Sequence, residues 1–236
     1  MMLFYGLMGI SMVFGFLGSM VSKRLQSKFT HYSQIPTSSG LSGKEIAEQM
    51  LKHYNIHDVQ VLQGKGRLTD HYNPKSKIIN LSPEVYGGRS ISSAAVAAHE
   101  CGHAVQHAES YAMLQFRSAI VPIIQVSSNI QKYLFMMGFM LIGFIGNANF
   151  LLIAIALFGM TALFSVITLP VEFDASKRAL AWLDDSNITR GTEYDGAKDA
   201  LKWAAMTYVV GAAAAVAQVV YLVFMFLQTQ NNGRRA

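Results

Sequence analysis

The chain has 236 residues, 52% of them hydrophobic and only 14% charged, against roughly 45–50% and about 25% in typical soluble domains. Its formal charge of +5 comes with no basic run beyond Lys23-Arg24 and Arg234-Arg235, and with no nucleic-acid-binding motif, which argues against nucleic acid as a partner. Cys101 is the single cysteine, which excludes an intrachain disulfide and a cysteine-rich metal site.

Charge is placed unevenly. Residues 22–118 and 171–203 carry nearly all of it, and the rest is long and apolar, the pattern of a multi-span membrane protein with a modest water-exposed part. Residues 1–21 hold no charged side chain and lead into Ser22-Lys23-Arg24. A signal peptide would carry its positive charge before the apolar core. Here it follows, so residues 1–22 read as a retained transmembrane anchor.

Residues 23–118 read as a small α+β zincin-like domain. An amphipathic helix is predicted from Ser42 to about residue 54. Residues 59–62 suit a short strand, Gly64-Lys65-Gly66 a turn, and His71-Tyr72-Asn73-Pro74 turn chemistry, with a second strand over 77–81. Ser92 or Ser93 can cap a further helix that runs through Ala94 to about residue 110.

A transmembrane hairpin is expected over 119–170, with spans near 121–145 and 150–169 divided by Gly146-Asn147-Ala148-Asn149. Lys132 interrupts the first of these, either snorkelling to an interface or facing the protein interior. Residues 171–203 read as a loop and helix. A last span covers 204–228, where Gly211-Ala212-Ala213-Ala214-Ala215 suits close helix packing, and 229–236 form a tail. The fold class is thus a mainly α membrane protein with about four transmembrane helices. Four crossings leave both termini on one side. Sixteen of the nineteen Lys and Arg residues fall in 22–118 and 171–203, and positive charge stays cytoplasmic. Those loops are therefore expected in the cytoplasm of a multi-pass bacterial plasma-membrane protein, with the termini outside.

The 92–110 helix contains His99-Glu100-Cys101-Gly102-His103. At a spacing of four, both histidines project from one helical face, and two imidazole nitrogens can reach one zinc ion at about 2 Å each. Glu100 lies beside them, placed to take a proton from the attacking water and deliver it to the leaving amine. Gly102 leaves room beside the metal. A catalytic zinc wants a third protein ligand and one open position. His107 continues the same face but sits about 6 Å further along by helix rise, too far for the same ion. The metzincin spacing fails as well, because Gln106 and Glu109 stand where its glycine and third histidine belong.

Glu172, in Leu169-Pro170-Val171-Glu172-Phe173-Asp174-Ala175-Ser176, is the better candidate. A hairpin returns the chain to the membrane face where the first helix started, and a carboxylate there can complete a His-His-Glu site. A solvated helix start after Pro170 is the competing reading.

Three segments together carry a family resemblance: residues 68–74 (Leu68-Thr69-Asp70-His71-Tyr72-Asn73-Pro74), residues 90–106 around the His99–His103 motif, and Pro170-Val171-Glu172-Phe173-Asp174-Ala175-Ser176. They closely resemble the YugP-type neutral zinc metallopeptidases of bacterial membranes, over essentially the whole chain. The resemblance implies a membrane-embedded gluzincin-like peptidase with one zinc per chain and Glu172 as third ligand. In the wider gluzincin pattern, as in HtpX-type and CAAX-prenyl-type proteases, an Asp four residues after the ligand Glu orients a zinc-bound histidine. Here that position is Ser176, and an Asp stands instead at Asp174. Either can supply the partner that a ligating histidine needs.

Further expectations concern the substrate. Residues 77–81, centred on Ile79, are a candidate edge strand for backbone addition of a substrate, or an ordinary core strand. His71 and Tyr72 can donate to an oxyanion, or serve as turn and structural residues. Two other readings compete. A site-2-type intramembrane protease would take its third ligand near Asp184, but the motif helix is too polar for the bilayer core. A non-catalytic metal-binding adaptor or chaperone would have no use for Glu100. The expected partners are a membrane-associated or unfolded polypeptide substrate and the lipid bilayer.

Overall fold

The computed structural model describes residues 2–136 and 148–233. In chain order these form α1 (Met2–Ser33), α2 (Gly43–His53), β1 (Gln60–Gln63), β2 (His71–Asn73), β3 (Ile78–Leu81), α3 (Pro83–Tyr86), α4 (Ile91–Ala108), α5 (Ala112–Met136), α6 (Ala148–Asp185) and α7 (Thr192–Gly233). They build two compact units. One comprises Met1–Met20, Phe116–Leu169 and Thr207–Ala236, and the other Val21–Gln115 with Pro170–Met206.

The first unit is helical and apolar. Three described helices are long and apolar enough to cross a membrane: Tyr5–Ser33, Asn149–Asp185 and Thr192–Asn231. Leu151, Ala154 and Leu222 form the buried cluster of this unit, with Leu7, Phe158 and Tyr221 packed around it. In lipid there is little hydrophobic gain between helices, and polar side chains supply part of the adhesion. Gln131 Nε2 on α5 donates to the Leu157 carbonyl at 2.6 Å and to Thr161 Oγ1 at 2.8 Å on α6.

The first, third and last expected spans overlap these helices. The second begins in α5, and its far end lies outside the described residues together with the Gly146-Asn147 break. α1, α6 and α7 each run past the expected span, so residues 171–203 are helical on both sides of a short turn. Pro170 does not end α6. A proline removes one i→i−4 hydrogen bond, and apolar helices with packed neighbours tolerate that loss.

In the second unit β3 is central. It pairs parallel with β1, Val61 opposite Ile79, and antiparallel with β2, Tyr72 opposite Ile79. The expected edge role of residues 77–81 is therefore corrected: β3 is bonded on both sides, Ile79 is fully buried, and the free edges belong to β1 and β2. The turn expected at His71-Tyr72-Asn73 is instead the short strand β2.

Helix α2 starts as its sequence requires. Ser42 and Glu45 form a reciprocal capping box, worth about 1 kcal/mol. Its apolar stripe of Ile46, Ala47, Met50 and Leu51 is buried in one core with Ile79 and Leu81 of β3 and Ala94, Ala97, Ala98, Cys101 and Val105 of α4. Each large aliphatic side chain so buried contributes roughly 1.5–3 kcal/mol. Alanines on α4 let neighbouring elements approach closely, and Ala179 and Leu183 of α6 complete the same core.

Candidate metal centre

Helix α4 begins at Ser90, whose hydroxyl accepts from the Ser93 amide. Ser90, rather than the expected Ser92 or Ser93, is thus the cap. The helix extends without interruption through the motif, so His99 and His103 stand on one face with ring centroids 4.8 Å apart. Their side chains retain only 14% and 12% exposure.

The third group comes from α6. Gly102 faces the α6 backbone, and a Cβ there would stand 2.5 Å from the Ala175 carbonyl oxygen. The missing side chain makes room for a helix, not for space beside a metal as the sequence suggested. This close approach brings Glu172 over the histidines. Glu172 Oε2 lies 3.4 Å from His99 Nε2 and 3.5 Å from His103 Nε2, with 4% of its side chain exposed. That burial sets aside the solvated helix start. Donor atoms about 2.0–2.2 Å from a tetrahedral ion stand roughly 3.3–3.5 Å from one another, so these separations are edges of such a tetrahedron. Among the described residues, the three form a group whose candidate ligand atoms lie within 4.8 Å of one another. Asp184 is exposed on α6 and outside that group.

Both outer ring nitrogens are engaged. Ser176 Oγ lies 3.1 Å from His99 Nδ1, and Gln106 Oε1 lies 3.1 Å from His103 Nδ1. The orientation of the Gln106 amide follows from its other end, where Nε2 donates to the Val171 carbonyl and to Asp174 Oδ2, each at 2.8 Å. Oε1 can only accept, so the His103 Nδ1–H donates, and in the neutral ring Nε2 presents a lone pair towards Glu172. Lone pairs facing a carboxylate in a buried site demand a cation. Burial alone would lower the His103 pKa, but the Glu172 and Glu100 carboxylates outweigh it and raise it above its ordinary value. A proton thus answers that demand when no metal does. The donor set of two imidazoles and one carboxylate suits zinc.

The remaining expected residues fall as follows. Glu100 is buried on α4 beside His99. Tyr72 Oη and His107 Nδ1 hydrogen-bond at 2.7 Å, and burial pushes the Tyr72 hydroxyl up to about 12. His107 is thereby engaged with β2. His71 is exposed, its Nδ1 2.8 Å from the Thr69 carbonyl and its Nε2 3.3 Å from Asn80 Nδ2. Ser176 contacts His99 directly, and Asp174 is linked to His103 only through the Gln106 amide. Gln106 is what sequence reading missed. The one available signal was its place three residues after His103, where side chains share a helix face.

The family described as "Putative neutral zinc metallopeptidase" matches residues 7–227. A relative named "Putative membrane protease YugP", from Bacillus subtilis (strain 168), is 40% identical over 211 residues, covering 89% of this chain and 90% of the relative. No solved structure matches the chain.

Proposed function

The chain belongs to this neutral zinc metallopeptidase family, and from that premise we propose that it is a membrane-embedded protease hydrolysing peptide bonds in membrane-associated or unfolded polypeptides. One observation carries the reading: a buried carboxylate oxygen lies at tetrahedral-edge distances from two imidazole nitrogens, all three within 4.8 Å of one another. His99, His103 and Glu172 would hold one zinc per chain and leave one coordination position open. When bound, zinc polarises the scissile carbonyl and lowers the pKa of water towards about 7.

Everything else falls to the chain. Glu100, next to His99 on the same helix, accepts a proton from the attacking water on its carboxylate and passes it to the leaving amine. Positioned general bases of this kind contribute about 10²–10⁴-fold. Gln106 holds the His103 ring in the tautomer that leaves Nε2 free, and Ser176 hydrogen-bonds the outer nitrogen of His99. Four spans are assigned, α5 beginning the second, with the catalytic unit cytoplasmic because the basic residues gather there. Cleavage at or near the membrane surface fits a chain with this much apolar helix.

Casein-type proteolysis by purified wild type and Glu100→Gln separates an enzyme from a metal-binding adaptor. A protease loses at least about 10²-fold of its activity without its general base while keeping its zinc. An adaptor shows no cleavage in either form.

A further inference from the structure

We propose that Gln106 is a positioning residue of the zinc site, transmitting the grip of Asp174 and Arg178 to His103. The inference rests on the zinc reading above and deepens it.

Gln106 is fully buried, an expensive place for an amide unless every polar atom is satisfied. Here each one is. Oε1 accepts from His103 Nδ1 at 3.1 Å, and the two Nε2 hydrogens go to the Val171 carbonyl and Asp174 Oδ2 at 2.8 Å. A flipped amide would set Nε2 against His103 Nδ1–H and Oε1 against two acceptors, so the surroundings permit one orientation. Asp174 is itself held, accepting from Arg178 Nε at 2.6 Å, while Arg178 Nη1 also donates to Glu109 Oε2 at 2.6 Å. A continuous line of hydrogen bonds therefore runs from Glu109 through Arg178, Asp174 and Gln106 to His103. His99 has a separate and shorter support in Ser176.

The two histidines are thus oriented by different means, one through a hydroxyl and one through a carboxylate acting across an amide. A carboxylate behind a ligating histidine makes it a better ligand. With the amide interposed, Asp174 polarises His103 without its full charge touching the ring. Gln106 would instead be a buried packing residue if its oxygen did nothing for the metal, and the two roles separate by experiment.

The experiment measures the zinc dissociation constant of the purified full chain in detergent, by competition with a chromophoric chelator. Metal-free melting temperatures are followed alongside. Gln106→Met keeps most of the volume and loses the amide, and should weaken zinc binding by about 10–100-fold. Asp174→Ala touches no ligand and should also weaken it. Combined with Gln106→Met, Asp174→Ala should add nothing further, because its effect passes through the amide. Ser176→Ala, acting on the other histidine, should multiply with Gln106→Met.

Zinc affinity of Gln106→Met within about two-fold of wild type would overturn the proposal, leaving a packing role. Multiplying effects of Gln106→Met and Asp174→Ala would overturn it as well. If Gln106→Met does not fold, Asp174→Ala decides: affinity equal to wild type removes the relay. A wild type that binds no zinc at all removes the metal reading itself, which is a different failure.

Discussion

Gly102 and Ala175 meet backbone to backbone, and a Cβ on Gly102 would stand 2.5 Å from the Ala175 carbonyl oxygen. Glu172 lies one turn before Ala175 on the same helix, so this contact sets how near its carboxylate comes to His99 and His103. Helix propensity and site geometry pull in opposite directions here. Alanine in place of glycine inside a helix favours it by about 0.8–1 kcal/mol. A contact under 3 Å with a carbonyl forces the helices apart instead. Gly102→Ala is expected to lower both zinc occupancy and melting temperature, measured by elemental analysis and thermal unfolding. A more stable variant with full zinc would show that the approach of the two helices does not govern the site.

The raised His103 pKa gives a pH dependence with a definite sign. A group protonated more readily when folded stabilises the fold fully below its unfolded pKa, and that stability is lost as pH rises through the folded value. For His103 the loss therefore begins above about pH 6.5. Zinc binds the neutral ring, so its binding strengthens over the same range. The rise in melting temperature on adding zinc is expected to be larger at pH 8.5 than at pH 6. An equal or smaller rise at the higher pH would separate His103 from the metal.

Topology can be tested with little background, because the single cysteine is inert. Cys101 is fully buried, and burial pushes its thiol pKa well up, which disfavours the reactive thiolate. Lys65 lies exposed after β1. A Lys65→Cys chain should resist a membrane-impermeant maleimide in intact cells and label after lysis. Labelling in intact cells would put this unit outside.

The motif on α4 was legible because its two histidines lie four residues apart, within one helix whose geometry is fixed. Glu172 stands far along the chain, and only the family resemblance, added to a plausible hairpin, pointed to it as ligand. Gln106 could not be assigned from spacing, since its role depends on which face of α4 receives α6, a matter of Gly102 and Ala175 that no local pattern states. β2 was hidden for a different reason. His71-Tyr72-Asn73 precedes a proline and carries turn residues, and it becomes a strand only because β3 offers a partner. The helical reach of α6 past Pro170 was obscured by a rule that holds better in water than among packed apolar helices.

Zinc content per chain in purified wild type and Glu172→Ala tests most directly that His99, His103 and Glu172 together hold the metal. One zinc in wild type and a large loss in Glu172→Ala, with the variant still folded and monodisperse, is the expected result. Stoichiometric zinc retained by Glu172→Ala would contradict it, because a carboxylate placed 3.4 Å and 3.5 Å from the two imidazole nitrogens would then not be a ligand.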